Sequence, residues 1–444
     1  MRIQLSDHFT YSRLLRFTLP SIAMMIFTSI YSIVDGFFVS NYVGKTAFAA
    51  INMVSPAFAI LGAFGLMIGA GGTAIVGRTL GEKKPDEANA YFSMLIYIVL
   101  GIGVFVGIAG FILIPFLSRL LGADDAMLSN CILYGRTILF GTPFFMLQFA
   151  IQSFFITAEK PKLGLFITIF SGVSNILLDA LFIIGFKWGL FGAAFATAFS
   201  QAAGTIIALI YFSRKNDSLL RLTLKTRFYG RVLLKACTNG SSEMVANIAA
   251  SVVTILYNYQ LMRFLGADGV AAYGVLMYAS FVFSAIYYGY AMGCAPIVSY
   301  QYGAGNRKEL KNIFKKSLSL VGIAGISMLI ISKLLSVPLA GTFVGYDKEL
   351  YELTLHAFQI YSFSFLLIGY NVFGSAFFTA LNDGLVSAAI SFLRTFVFEI
   401  GSILILPALF GIDGIWFAVI IAELAAALIT SFFFYFKRNR YHYI

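Results

Sequence analysis

Ser153-Phe154-Phe155-Ile156-Thr157-Ala158 and Ser375-Ala376-Phe377-Phe378-Thr379-Ala380 stand 222 positions apart and agree at four of six places. The same offset, with no gap, pairs Gly44 with Gly266, Ala49 with Ala271, Ala50 with Ala272, Gly71 with Gly293 and Gly81 with Gly303. It also pairs Gly189 with Gly411, Gly192 with Gly414 and Ala196 with Ala418. The chain is one structure written twice. Most of the matched residues are small, the class that decides how closely helix backbones approach in lipid. A duplicated membrane bundle is a mark of transporters, whose lobes rock about a site between them.

Composition places the chain in a membrane: 59% of its residues are hydrophobic and 11% charged, too apolar for a soluble domain. Apolar segments fall at 17–40, 47–76, 91–117, 131–158, 163–186, 191–212, 233–262, 270–299, 313–335, 356–381, 385–410 and 412–436. Each is long enough to cross a hydrocarbon core of ~30 Å at ~1.5 Å per residue. The expected fold is all-α, with twelve transmembrane helices in two six-helix lobes. Six crossings is an even number, so both halves enter in the same direction and a pseudo-two-fold along the membrane normal relates them. The expected division is a first lobe at 1–212, a basic cytoplasmic linker at 213–232 and a second lobe at 233–444.

The net charge of +11 reflects orientation and calls for no nucleic-acid partner. Of the 31 Lys and Arg residues, 23 fall in one set of alternate loops and termini, and only Lys45, Arg119, Lys187, Arg263, Lys333 and Lys348 fall in the other. Arg136 and Arg394 lie within spans, Arg136 near the outer start of the fourth, where it snorkels to the interface. The positive-inside rule then puts both termini in the cytoplasm of a multi-pass cell-membrane protein. Arg214, Lys215, Arg221, Lys225, Arg227, Arg231 and Lys235 read either as a surface helix against anionic lipid or as a plain charged connector. Cys131, Cys237 and Cys294 sit in or beside apolar spans and read as small buried hydrophobes.

Two motif-like strings fail on context. Val43-Gly44-Lys45-Thr46 lacks the earlier glycine of a phosphate loop, because Val39 stands there. Gly69-Ala70-Gly71-Gly72-Thr73-Ala74 lies inside an apolar span with no strand before it, so close helix packing explains it better than dinucleotide binding. His8, His356 and His442 are scattered. Nothing supports an ATPase, a dehydrogenase or a metalloenzyme, so no enzyme activity and no cofactor is expected.

Ionisable residues inside the hydrocarbon cost ~2.5–3.5 kcal/mol each on insertion scales, so each needs a reason. Asp35, Asp179 and Thr197 fall within one helical turn of the same depth in the first, fifth and sixth spans, and Asn175 shares a helix face with Asp179. Two carboxylates, an amide and a hydroxyl in a dry pocket make a site for a shared proton or for Na⁺. The alternative is polar packing glue between helices, which Ser and Thr would supply at lower desolvation cost. The second lobe does not repeat the pocket: Tyr257, Val397 and Gly401 stand at the positions equivalent to Asp35, Asn175 and Asp179. It carries Glu243, Arg394, Glu399 and Glu423 instead, which reads either as an ion-pair network or as a second coupling or substrate site. Of the many aromatics, a subset beside the acids would suit flat lipophilic cations.

Pro20, Val34-Asp35-Gly36-Phe37-Phe38-Val39, Gly44 to Ala50, Gly81-Glu82-Lys83, Asn175 to Asp179, and Gly192-Ala193-Ala194-Phe195-Ala196-Thr197 with Gln201 together resemble the MATE (multidrug and toxic compound extrusion) transporters. The resemblance runs over essentially the whole chain. It implies two six-helix lobes in a V and drug/cation antiport by alternating access. In prokaryotic members with an acidic first lobe, the positions matching Asp35, Asn175, Asp179 and Thr197 form the cation or proton site. Members with a second-lobe sodium site are expected to carry acids in the seventh and tenth helices. The tenth apolar segment has none, which favours coupling through the first lobe.

The expected protein is therefore a monomeric secondary antiporter in the cell membrane, driven by H⁺ or Na⁺ at Asp35 and Asp179 and exporting amphipathic organic cations. A flippase for lipid-linked saccharides shares the architecture but calls for a cavity rich in Arg and Lys. Here Arg394 and Arg136 face five buried acids. A passive channel or scaffold is the rival of another class, and the acid pocket argues against it.

Overall fold

The computed structural model describes residues 3–121, 123 and 125–444, without the side chains at 32, 45, 56, 126 and 267. Arg2 and the Lys45 side chain, two of the charges that orient the chain, lie outside the described residues. Every regular element among the described residues is helical. The first half consists of α1 (Tyr11–Tyr42), α2 (Lys45–Gly81), α3 (Pro85–Leu120), α4 (Asp125–Thr157), α5 (Pro161–Gly185) and α6 (Gly189–Ser213). The second consists of α7 (Gly230–Gly266), α8 (Asp268–Gly303), α9 (Arg307–Val344), α10 (Lys348–Ala380), α11 (384–410) and α12 (412–441). The apolar segments read from the sequence lie within or overlap these helices one for one, and the chain is a multi-pass membrane protein.

Two pairs of matched glycines mark helix joints. α7 meets α8 at Gly266 (φ 65°, ψ −149°), and α11 meets α12 at Gly411 (φ 60°, ψ −136°). Those angles belong to a region that side-chain-bearing residues avoid. Their partners Gly44 (φ 119°) and Gly189 (φ 58°) also have positive φ. The offset is not gapless throughout, however. The left-handed residues Glu159 and Asn382 in the α4–α5 and α10–α11 turns are 223 positions apart, so the repeat slips by one residue there and recovers before Gly189/Gly411.

The halves meet along α2, which packs on α7 and α8, while α1 packs on α8. Side chains are excluded from the closest points. A Cβ on Gly81 would strike the Tyr300 carbonyl oxygen, and one on Gly303 would strike the Arg78 carbonyl oxygen. The two contacts exchange under the 222 offset, which makes the seam self-complementary. Nearer the membrane centre, a Cβ on Gly71 would meet the Ala236 carbonyl, and one on Gly293 would lie 3.0 Å from Thr18 Cα. A polar clasp crosses the same seam: Asn239 Nδ2 donates to Asn382 Oδ1 (2.8 Å), and Asn382 Nδ2 donates to the Ala74 carbonyl (3.0 Å). All of this lies in the half of the bundle that carries the termini.

The connector between halves is not a surface helix. Residues 214–229 contain no helix before α7 begins at Gly230. The segment lies instead against α3: Arg221 N donates to Asn89 Oδ1 (2.8 Å), Thr223 N to Ser93 Oγ (2.8 Å), and Thr226 Oγ1 to the Ala90 carbonyl (2.8 Å). Its backbone donors are met by side chains of the first half, which leaves no helical face to lay on lipid.

A strap formed by residues 3–10 closes the seam from below. Leu5 and Phe9 are fully buried and held by their main chain. Leu5 N donates to Glu159 Oε1 (2.7 Å) in the first half, and Phe9 N donates to Glu309 Oε1 (2.9 Å) in the second. Gln301 Nε2 donates to the Leu5 carbonyl (2.8 Å), Lys316 Nζ and Asn312 Nδ2 donate to the Phe9 carbonyl (2.6 and 2.9 Å), and His8 Nδ1 sits 2.6 Å from Glu309 Oε2. Charge-assisted bonds of this kind are worth about 1.5–3 kcal/mol each.

Two outcomes are expected. A Cβ at Gly77 would lie 3.3 Å from Ser299 Cβ, close to the ~3.5–4.5 Å of a disulfide. In a chain whose three native cysteines are replaced, Gly77→Cys with Ser299→Cys should cross-link under mild oxidation, and adding Gly81→Leu should cut the yield several-fold, as read on a non-reducing gel. Replacing Glu309 by Leu should speed chymotryptic cleavage after Phe9 about tenfold, and an unchanged rate would show that the strap is held by other means.

Candidate functional site

α5 presents Asn175 and Asp179 one turn apart, with relative exposures of 2% and 0%. The helix changes character directly after Asp179, because Ala180–Gly185 is a π-helical segment. Such segments turn the helix face and recur at functional sites. α6 brings Thr197 to the same place: Asn175 Nδ2 donates to Thr197 Oγ1 at 3.4 Å, and Thr197 Oγ1 donates to the Ala193 carbonyl at 3.1 Å. α1 supplies Asp35, whose carboxyl faces that of Asp179. The four residues grouped by depth in the sequence, Asp35, Asn175, Asp179 and Thr197, are brought together.

Their oxygens are under-used. Asp35 Oδ1, Asn175 Oδ1 and both carboxyl oxygens of Asp179 are inaccessible to solvent and have no hydrogen-bond partner among the described residues. Leaving one buried acceptor unsatisfied costs about 1–3 kcal/mol, and more for a charged group. Two ionised carboxylates cannot bond to each other, since both only accept; a proton on either turns it into a donor. A small hard cation would satisfy the same atoms. Two tyrosines unmarked in the sequence complete the surroundings. Tyr31 lies one turn before Asp35 on α1, and Tyr134 on α4 is within electrostatic range of both aspartates. The i,i+4 spacing of Tyr31 and Asp35 was the available signal; nothing local points to Tyr134.

The second lobe gathers its charges around Arg394, itself in a π-helical segment, Leu393–Glu399. Arg394 Nε and Nη2 donate to Glu423 Oε1 at 2.8 and 2.6 Å. Asn371 Nδ2 bonds the other Glu423 oxygen at 2.7 Å, and Thr430 Oγ1 donates to Asn371 Oδ1 at 3.0 Å. Glu399 and Glu243 stand within electrostatic range of Arg394, with Tyr288 beside it. Tyr257, at the position equivalent to Asp35, stacks on Tyr273 with ring centroids 4.9 Å apart and lies near Glu399. Arg394 and Glu423 thus form a buried ion pair. Glu423→Ala should cost about 3–5 kcal/mol by stranding the guanidinium, read as a fall in the thermal unfolding midpoint, and pairing it with Arg394→Met should restore much of that loss.

Comparison with known proteins gives the same organisation. The MatE family model matches residues 20–181 and 243–404, one match in each half. The chain is 25% identical over 436 residues to the multidrug export protein MepA of Staphylococcus haemolyticus (strain JCSC1435), covering 97% of this chain and 94% of the relative. It is 24% identical over 434 residues to MepA of Staphylococcus aureus (strain MSSA476), with the same coverage. Among solved structures, the outward-facing conformation of a multidrug resistance MATE family transporter of the MOP superfamily aligns with a TM-score of 0.91 at 20% identity, covering 98% of this chain and 97% of that one. A MOP superfamily transporter from Pyrococcus furiosus Vc1 (DSM3638), described as having a binding pocket of reverse polarity, aligns at 0.89, also at 20% identity over 98% and 97%. These likenesses establish twelve membrane helices in two lobes, and with both halves matched by its model, the chain belongs to the MatE family.

Proposed function

We propose that this protein is a multidrug exporter that couples the inward movement of H⁺ or Na⁺ at Asp35, Asn175, Asp179 and Thr197 to the outward movement of amphipathic organic cations. The observation that carries the reading is the set of four buried acceptor oxygens on Asp35, Asn175 and Asp179 that have no partner among the described residues. The MepA relatives are named as multidrug export proteins, which supports the substrate class. The glycine seam supports alternating access, since the lobes are closed at the termini end, as an outward-facing state requires. With the termini in the cytoplasm of a bacterial cell membrane, each positive charge moving inward contributes about 2.3 kcal/mol per 100 mV.

A cation held by two carboxylates and a cationic drug compete for the same negative charge. Binding of one then favours release of the other, which is the requirement of antiport. In the second lobe, Glu399 and Glu243, when ionised, exceed what Arg394 can neutralise, since Glu423 already takes its charge. That surplus extends the attraction for organic cations across the cleft. The Arg394–Glu423 pair also neutralises the part-buried cation that a lipid-linked pyrophosphate would need. The protein works as a monomer, with no cofactor beyond the coupling ion.

The test is uptake of a fluorescent lipophilic cation into proteoliposomes, with a pH gradient and a Na⁺ gradient imposed separately. Wild type should accumulate the dye with one of the gradients, and Asp35→Asn should lose at least nine-tenths of that accumulation while staying folded. Gradient-driven transport by Asp35→Asn at the wild-type rate would overturn the assignment of the site.

A further inference from the structure

On the far side of α4 and α6 from the acid pocket lies a groove of about 770 Å³ bounded by α3, α4 and α6. That volume is within the ~300–1,000 Å³ of ligand sites. Its floor is made of small residues, Gly141, Ala198 and Ala202, and its walls are phenylalanines, among them Phe140, Phe195 and Phe199. The close approach of α4 and α6 makes the floor: a Cβ on Gly141 would lie 2.8 Å from Ala198 Cβ. Phe140 is 83% exposed, so the groove opens outward from the helices. Phe195 and Phe199 are two positions either side of Thr197, about 200° around the helix from it. The groove and the candidate cation site therefore share α6 as a common wall.

One cation stands in this apolar setting. Arg136 is eleven positions beyond the start of α4 at Asp125, about 16 Å along the helix. Its contacts among the described residues are both with Phe111: Nε donates to the Phe111 carbonyl at 3.4 Å, and the guanidinium lies 4.8 Å from the ring centroid. Neither neutralises its charge. In the second lobe the same level carries Lys333, the counterpart of Phe111, 4.3 Å from the ring centre of Phe363, the counterpart of Phe140. Both lobes thus place a cation at this depth. Ser364 stands in the second lobe where Gly141 floors the groove, and the counterpart of Arg136 there is the exposed Gln359.

We propose that this groove binds one phospholipid from the outer leaflet, with its phosphodiester on Arg136 and an acyl chain along the phenylalanine walls. A phosphate pairs with guanidinium in bidentate geometry, and the apolar walls take methylene groups from a neighbouring chain position. The positive charge excludes the organic cations expected at the acid pocket, so the groove is not a lateral path for them. A lipid seated there would stiffen α4 and α6, which carry Tyr134 and Thr197.

The test is native mass spectrometry of the delipidated full-length protein titrated with phosphatidylglycerol, phosphatidylethanolamine or diacylglycerol. Wild type should take up one tightly held phospholipid of either kind and bind diacylglycerol at least tenfold more weakly. Arg136→Gln should weaken phospholipid binding about tenfold, and Arg136→Lys, which keeps the charge but loses the bidentate fork, should fall between Gln and wild type. Ala202→Phe, which fills the floor and keeps the charge, should weaken it as well. Equal binding of diacylglycerol, or phosphatidylglycerol binding unchanged in both Arg136→Gln and Ala202→Phe, would overturn the proposal by leaving only general contact with lipid.

Discussion

Backbone-to-backbone contact between the halves is the constraint that the rest of the structure serves. In lipid there is no hydrophobic drive to bring helices together, and dispersion between close surfaces must do it. Gly81 and Gly303 let α2 and α8 touch through carbonyls, each glycine against the strand of atoms that its repeat partner's helix offers. A contact built from main chain on both sides has little to repack when it parts. It separates and re-forms as a surface, which suits the alternating access proposed above.

Around that symmetric joint the two lobes differ in chemistry. Among the described residues the first carries two acids and no cation in its pocket, with acceptors left over; the second ties Arg394 to Glu423, whose other oxygen accepts from Asn371. A duplicated scaffold permits this, because the small residues that position helices are separate from the polar residues that face the interior. Tyr257 at the position of Asp35 is the clearest case: the helix is the same, and an aromatic stack with Tyr273 occupies the place of a carboxylate.

The sequence made the helices legible because spanning lipid demands long apolar runs, and it made the joints legible because Gly266 and Gly411 sit at backbone angles other residues avoid. The grouping of Asp35, Asn175, Asp179 and Thr197 followed from counting residues inward from helix ends. Tyr134 was invisible to that count, since its place depends on how α4 packs on α2 and α6, with Phe58 of α2 against its ring. The π-helical segments after Asp179 and around Arg394 leave no periodic trace over so few residues. The charges of the connector at 214–229 suit a surface helix and a plain connector equally well, and the choice between them is decided by Asn89 and Ser93 on α3. The one-residue slip at Glu159 and Asn382 hides because Ser153, Phe155, Thr157 and Ala158 still match Ser375, Phe377, Thr379 and Ala380 by residue type at the unslipped offset.

The strap that seals the seam has a consequence for how the molecule is made. Leu5, His8 and Phe9 leave the ribosome well before their partners Gln301, Glu309 and Asn312, which come some three hundred residues later. Until α9 has been synthesised, the strap has only half of its seat, the carboxylate of Glu159. The first residues of the chain must wait in solution through the insertion of eight helices, and their docking reports that both halves have been completed and brought together.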